Sequence, residues 1–201
     1  MKLISFLFLT VLISFSGLRA DLLADLDAAQ RKDLDVGQLV VRSKDVPGGP
    51  WPELMVYTRV NAPVSAVDLV FRDYSGASSY IPNLESAEVL ERPSKNVYVV
   101  RYTSKAPLVG KIVSTVKNTY SYPDGGLSVK WNLIEATQAD ESRGELRVQP
   151  HGSGCILRYT NYVKPKSSLA GMVKFAALSE VKKTVAALKA ESEKRAAQTG
   201  G

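Results

Sequence analysis

Between Ser86 and Val163 the chain carries five or six strand-like segments, each closed by a turn signal, and no helical period. They fall at approximately Ser86–Glu91, Asn96–Ser104, Lys111–Tyr122, Leu127–Ile134, Gly144–Gln149 and Cys155–Val163. The turns between them are Pro93–Asn96, Lys105–Gly110, Pro123–Gly126, a polar patch near Asp140, and His151–Gly154. Parallel strands would need a crossover helix between each pair, so the spacing predicts an antiparallel meander. One long amphipathic helix follows, predicted over Ser168–Arg195. Leu169, Met172, Val173, Ala176, Val181, Val185 and Leu188 share one face of it, widened by Phe175 and Leu178. Lys174, Lys182, Lys183 and Lys189 fall mainly elsewhere. That apolar stripe must be buried against something.

Ahead of the meander the pattern reads β-β-α. Residues 21–36 predict a short helix opening at an acidic cap, where acid suits the helix dipole. Gly37 ends it. Gln38–Val46 and Trp51–Val60 read as strands joined by the Pro47-Gly48-Gly49-Pro50 turn, a hairpin. A second helix follows. Pro63 suits its first turn, Ser65 and Asp68 have capping-box spacing, and Val67, Val70, Phe71 and Tyr74 form one stripe. Gly76 and the serines break it. Pro82 biases Ile81 away from helical geometry, and Tyr80-Ile81-Pro82-Asn83 then feeds the first strand of the meander.

The arrangement resembles the opening of the START-like superfamily, the polyketide cyclase/dehydrase and lipid-transport proteins. There a strand ends in an Ala-Pro turn, a helix ends in Asp plus an aromatic, and a Trp/Tyr-x-Pro turn leads into the sheet. Ala62-Pro63, Val67, Asp73-Tyr74 and Tyr80-Ile81-Pro82-Asn83 match in order and spacing. The 105–110 segment is similar to the family's connection before its long central strand, although Lys111-Ile112 stands where members commonly carry an Arg-Asp pair. The resemblance implies an α+β helix-grip fold: a curved antiparallel sheet wrapped around the long C-terminal helix, with an internal hydrophobic cavity. By this reading residues 37–195 are the START-like domain, and 196–201 a disordered tail.

The N-terminus reads as a leader. Met1-Lys2 is a minimal basic region, Leu3 to Ser16 is apolar, and Leu18-Arg19-Ala20 can serve as a cleavage site. The apolar run is shorter than the roughly 20 residues a membrane span needs. The expectation is a cleaved signal peptide over residues 1–20 and a secreted, periplasmic protein. Its loss takes Lys2 and Arg19 from the 26 basic residues and none of the 20 acidic ones, leaving 24 against 20, a net charge of +4. Such a mild balance favours transient contact with an anionic membrane surface only weakly and argues against nucleic acid as a partner. A monomer is expected.

Strand alternation places side chains on faces. With Arg101, Lys117, Lys130 and Arg158 outside, the inward set is Tyr98, Val100 and Tyr102; Ile112, Ser114, Val116, Asn118 and Tyr120; Val129, Trp131 and Leu133; Leu157, Tyr159, Asn161 and Val163. Such a face is rich in tyrosine and amide for a plain core, where each polar group needs a partner. An apolar pocket with a few placed polar groups is the lining of a ligand site. The expected ligand-binding residues are these inward ones without Ser114, Leu157 and Val163, together with Phe71, Tyr80, Met172, Val173 and Ala176. Asn118 and Asn161 are the candidates for a polar head group.

Catalytic signatures are sparse. The lone histidine, His151, sits in a Pro-His-Gly-Ser-Gly turn, and the lone cysteine, Cys155, reads as a small buried hydrophobe. One His and one Cys leave no transition-metal site of the usual ligands. Phosphate-loop, dinucleotide and nucleophile-elbow patterns are missing, and no cofactor is expected. Glu135, Asp140, Glu141 and Glu145 read as a solvated edge. Cavity tyrosines would need a basic neighbour to act as acids or bases, because their unperturbed pKa lies near 10. The sequence therefore points to a binding protein for a hydrophobic small molecule (lipid, sterol-like terpenoid, quinone or fatty chain). A polyketide cyclase or dehydratase using those tyrosines is the alternative.

Overall fold

The computed structural model describes residues 21–106, 110–166 and 170–199. The signal peptide expected at 1–20, the centre of the 105–110 connection and residues 167–169 lie outside this set, as do the side chains of Met172 and Val173.

Eight strands form one antiparallel sheet. They are β1 (Val40–Lys44), β2 (Glu53–Val60), β3 (Leu84–Ser94), β4 (Val97–Ala106), β5 (Gly110–Ser121), β6 (Leu127–Ala136), β7 (Ala139–His151) and β8 (Gly154–Pro165). Their order across the sheet is β1-β2-β8-β7-β6-β5-β4-β3. Each consecutive pair from β3 to β8 is a hairpin, as the meander demands. Register shifts in β3, between β5 and β6, and at the start of β7 bend the strands, since a bulge puts two residues opposite one. The edge strand β3 carries Glu85, Glu88, Glu91 and Arg92 exposed, which discourages pairing with another chain.

Helices α2 (Val64–Arg72) and α3 (Ala170–Thr199) cover the inner face. Val67 and Val70 on α2 and Val185 and Leu188 on α3 are almost fully buried. Val67 and Val185 pack with Val56, Val100, Val129, Leu146 and Leu157 of the sheet. Each such side chain contributes about 1.5–3 kcal/mol relative to exposure. This is the helix-grip arrangement: a bent open sheet closed around a C-terminal helix of 30 residues, about 45 Å long at 1.5 Å per residue.

Helix α1 (Ala28–Asp35) lies on the opposite, outer face. It begins later than the sequence suggests. Residues 21–26 form a turn, and Asp27 is the N-cap, accepting from the Gln30 N–H (2.9 Å) while Gln30 Oε1 accepts from the Asp27 N–H (3.2 Å). At its far end Gly37 takes φ +82°, and the N–H groups of Gly37 and Gln38 reach the carbonyls of Leu34 and Asp33, a Schellman closure. Leu26 and Leu34 bury against Val40 and Tyr57, a second small core. Arg158, outward as expected, is thereby covered to 16 % side-chain exposure and pairs with Glu145 (3.0 Å) and Asp25 (3.6 Å).

Several local expectations are corrected. The capping box of Ser65 and Asp68 does not form, because the helix opens at Val64 with Pro63 as N-cap, two positions before Ser65. Ser65 is exposed, and Asp68 instead accepts from Arg72 Nε (2.8 Å) and the Tyr122 hydroxyl (2.9 Å). Phe175 does not widen the buried stripe; it is 80 % exposed. The tail expected from Ala196 is helical to Thr199, where Ala196 still packs on the core.

Candidate ligand cavity

The inward rows run across the sheet as the alternation predicts. One row is Tyr98–Asn118–Trp131–Gly144–Asn161, and the next is Val100–Val116–Leu133. Between this floor, the loop after α2 and the middle of α3 lies a cavity of about 380 Å³. The loop contributes Tyr74, Ala77, Tyr80 and Ile81, the start of β3 contributes Leu84, and α3 contributes Thr184 and Leu188.

Of the residues expected from sequence, Phe71, Tyr80, Tyr102, Val116, Asn118, Trp131, Tyr159 and Asn161 line this space. Val100 and Val129 do not, being fully enclosed in the core, and Tyr120 is 2 % exposed with its hydroxyl 2.7 Å from that of Tyr74. Ile112, Leu133 and Ala176 are partly buried but outside the lining. Tyr98 is turned to a separate open groove of about 420 Å³ that it shares with Arg72, Ser75 and Glu88. Tyr74, Ala77, Ile81, Leu84, Ser104, Ser142, Thr184 and Leu188 line the cavity without having been expected there, and Ser114 does so as an inward residue left out of the site.

No charged side chain is found among the described lining residues. The Arg72 guanidinium lies outside, 3.8 Å from the Tyr120 ring centroid, donating to Asp68, the Tyr98 hydroxyl (3.0 Å) and Tyr122. Burial pushes the hydroxyls of Tyr74 and Tyr80 up to about 12 and raises those of Tyr102, Tyr120 and Tyr159 well above the ordinary tyrosine value. All therefore stay protonated at neutral pH. Burial likewise pushes the Cys155 thiol up to about 12, far from a nucleophile. The Asn118 amide donates to the Tyr102 hydroxyl (3.3 Å). Asn161, Ser142 and the Tyr159 hydroxyl have no side-chain hydrogen-bond partner among the described residues. These are neutral groups at an apolar surface, suited to holding a ligand and not to moving a proton.

The loop 73–84 is tied to α3 at two points. Asp73 Oδ2 accepts from Arg195 Nη2 (2.8 Å) and Oδ1 from the Gly76 N–H (3.0 Å); Asn83 Nδ2 donates to Glu180 Oε2 (2.7 Å). Burial opposes ionisation of Asp73, but the bonds from Arg195 and Gly76 outweigh it and hold the carboxyl below its ordinary range. A depressed folded-state pKa gives stability that is present above the unfolded value and lost as pH falls through the folded one. Asp73→Asn is therefore expected to flatten the acid limb of the stability profile, by about 0.5–1 kcal/mol for so exposed a pair. Urea unfolding across acidic pH checks this; parallel profiles for the two proteins would contradict it.

The sequence profile of a family described as polyketide cyclase / dehydrase and lipid transport matches residues 54–193. The chain belongs to that family, within the START-like superfamily. Comparison with curated proteins returns no match. Among solved structures, a STAR-related lipid transfer protein from Xanthomonas axonopodis is similar at 18 % identity and a TM-score of 0.69, over 77 % of this chain and 93 % of that one. Human StAR-related lipid transfer protein 5 is 13 % identical with a TM-score of 0.69, over 82 % and 84 %. The Zhui aromatase/cyclase from a Streptomyces species is 16 % identical with a TM-score of 0.58, over 81 % and 97 %. At these identities the likeness is one of fold.

Proposed function

We propose that this protein binds and carries a hydrophobic small molecule (a lipid, sterol-like terpenoid, quinone or fatty chain) in the cavity between sheet and α3. The observation that carries the reading is the cavity itself: about 380 Å³, uncharged along its described lining, and walled by aromatic side chains with a few unpartnered polar groups. Burial of apolar ligand surface would supply the affinity, about 2.5 kcal/mol for each 100 Å² at 25 cal/mol per Å². Loop 73–84 is the proposed gate, swinging off α3 when its two ties release. Export through the 1–20 leader, brief membrane-surface contact during transfer, and a monomeric state belong to the same proposal.

The cyclase alternative is supported by the fold shared with the aromatase/cyclase. It fares less well on the chemistry: the Tyr98 hydroxyl accepts from Arg72 outside the cavity, and no basic group lines the cavity with Tyr159 among the described residues. It predicts turnover lost in Tyr159→Phe, where the carrier reading predicts none to lose.

The test is extraction. The full chain, expressed with its own N-terminus and purified without detergent, is denatured, extracted with organic solvent and analysed by mass spectrometry. A stoichiometric apolar compound is the expected result. An empty protein that also fails to take up fluorescent lipid, sterol and quinone analogues would contradict the proposal.

A further inference from the structure

The chemistry of the cavity wall says more than that its ligand is apolar. Trp131 and Tyr159 stack with ring centroids 4.9 Å apart and planes tilted by 35°. The indole lies over Gly144 of the neighbouring strand, where a Cβ would sit 2.2 Å from Trp131 Cζ2. The missing side chain thus lets the ring lie flat across β7, and Phe71, Tyr74 and Tyr102 supply other walls. A space bounded by aromatic faces favours a flat π-system over a saturated chain. Beside the indole, Ser142 and Asn161 flank Gly144 on β7 and β8, and each can donate to a carbonyl or accept from a hydroxyl.

Charge is excluded as firmly as shape is selected. Arg72, over the Tyr120 ring, is turned to Asp68, Tyr98 and Tyr122, and Arg195, over the ring of the lining Tyr80, is held by Asp73 and Glu191. A carboxylate or phosphate entering the cavity would lose its water and meet no cation among the described lining residues.

We infer that the ligand is an uncharged, flat, unsaturated ring compound bearing a carbonyl or hydroxyl oxygen, seated on Trp131 with that oxygen at Ser142 and Asn161, and that anionic lipids are rejected. This rests on the hydrophobic-ligand reading above and specifies its substrate class.

Four probes separate the two claims: pyrenemethanol, pyrenecarboxylate, hexadecanol and palmitate, titrated against the full-length protein well above the carboxylate pKa range. Pyrenemethanol should bind tightest. Pyrenecarboxylate should be at least about tenfold weaker, with the gap closing as pH falls and the acid becomes neutral, and hexadecanol at least about tenfold weaker as well. Asn161→Lys, which adds a cation at the half-buried polar end, should tighten pyrenecarboxylate and weaken pyrenemethanol. If that variant does not fold, the wild-type comparison decides alone. Equal affinity for alcohol and carboxylate would overturn the charge exclusion, and hexadecanol matching pyrenemethanol would overturn the flat slot. In either case hydrophobic binding would still stand. Failure of all four probes, with no compound extracted from the purified protein, would remove the underlying reading itself.

Discussion

Gly144→Ala is expected to lower both stability and ligand affinity sharply, the former by about 1–3 kcal/mol and the latter at least about tenfold. A Cβ at this position meets two things. One is the Trp131 ring at 2.2 Å; the other is the backbone carbonyl of Thr160, also at 2.2 Å. The carbonyl cannot turn away without disturbing the β7–β8 ladder, so strain is unavoidable, and the ring can give only by rising into the cavity. Overpacking and loss of the slot then occur together. Urea unfolding measures the first and titration with an apolar probe the second. A Trp131→Phe partner variant separates the contributions. If ring displacement matters, the double mutant recovers part of the stability, a coupling expected of residues in contact. Strict additivity would instead assign the whole cost to the backbone.

Leu34→Ala should be costly for stability yet silent for binding. Leu34 is 1 % exposed and packs with Leu26, Val40 and the fully buried Tyr57 on the outer face, opposite the cavity. Truncating so enclosed a leucine typically costs about 2–5 kcal/mol. The loss should appear as an earlier unfolding midpoint, with ligand affinity unchanged below it. A variant of normal stability would show that residues 21–36 do not seal the sheet. One of normal stability that had lost binding would place the arm on the wrong side of the molecule.

The strand faces were readable because charged residues marked the outside. Arg101, Lys117 and Lys130 are exposed, and every inward residue they imply shares the inner face in the observed register. What alternation cannot say is which inward positions lie under a helix and which face open space. Val100, Val129 and Tyr120 are enclosed in the core, whereas Val116 and Trp131, in the same core, also reach the cavity. Ala77 and Ile81 escaped notice because a loop has no period to read, and Tyr74, read as the end of the α2 stripe, lies past the helix in that same loop. Ser142 was reachable in principle: the period-2 pattern of Gly144, Leu146 and Val148 continues back to it, but Asp140, Glu141 and Arg143 made that stretch look like a turn. Thr184 was also reachable, since it lies four residues before Leu188 on the α3 stripe. The polar side chains that close the structure, from Asp73 to Arg195 and from Asn83 to Glu180, join positions far apart in sequence and carried no local signal.

Tryptophan fluorescence offers the most direct test of the central claim that an apolar ligand sits on Trp131. The chain has two tryptophans, and Trp51, at the β1–β2 turn, is absent from the cavity lining. In a Trp51→Phe background all indole emission comes from Trp131. Titration with pyrenemethanol should quench that emission saturably at one equivalent and almost completely, because the probe touches the ring, while the Trp131→Phe protein, reporting only Trp51, should be quenched less, by energy transfer across a gap. Saturable quenching of Trp51 with Trp131 silent would contradict the account, because the ligand would then be bound elsewhere than between the sheet and α3.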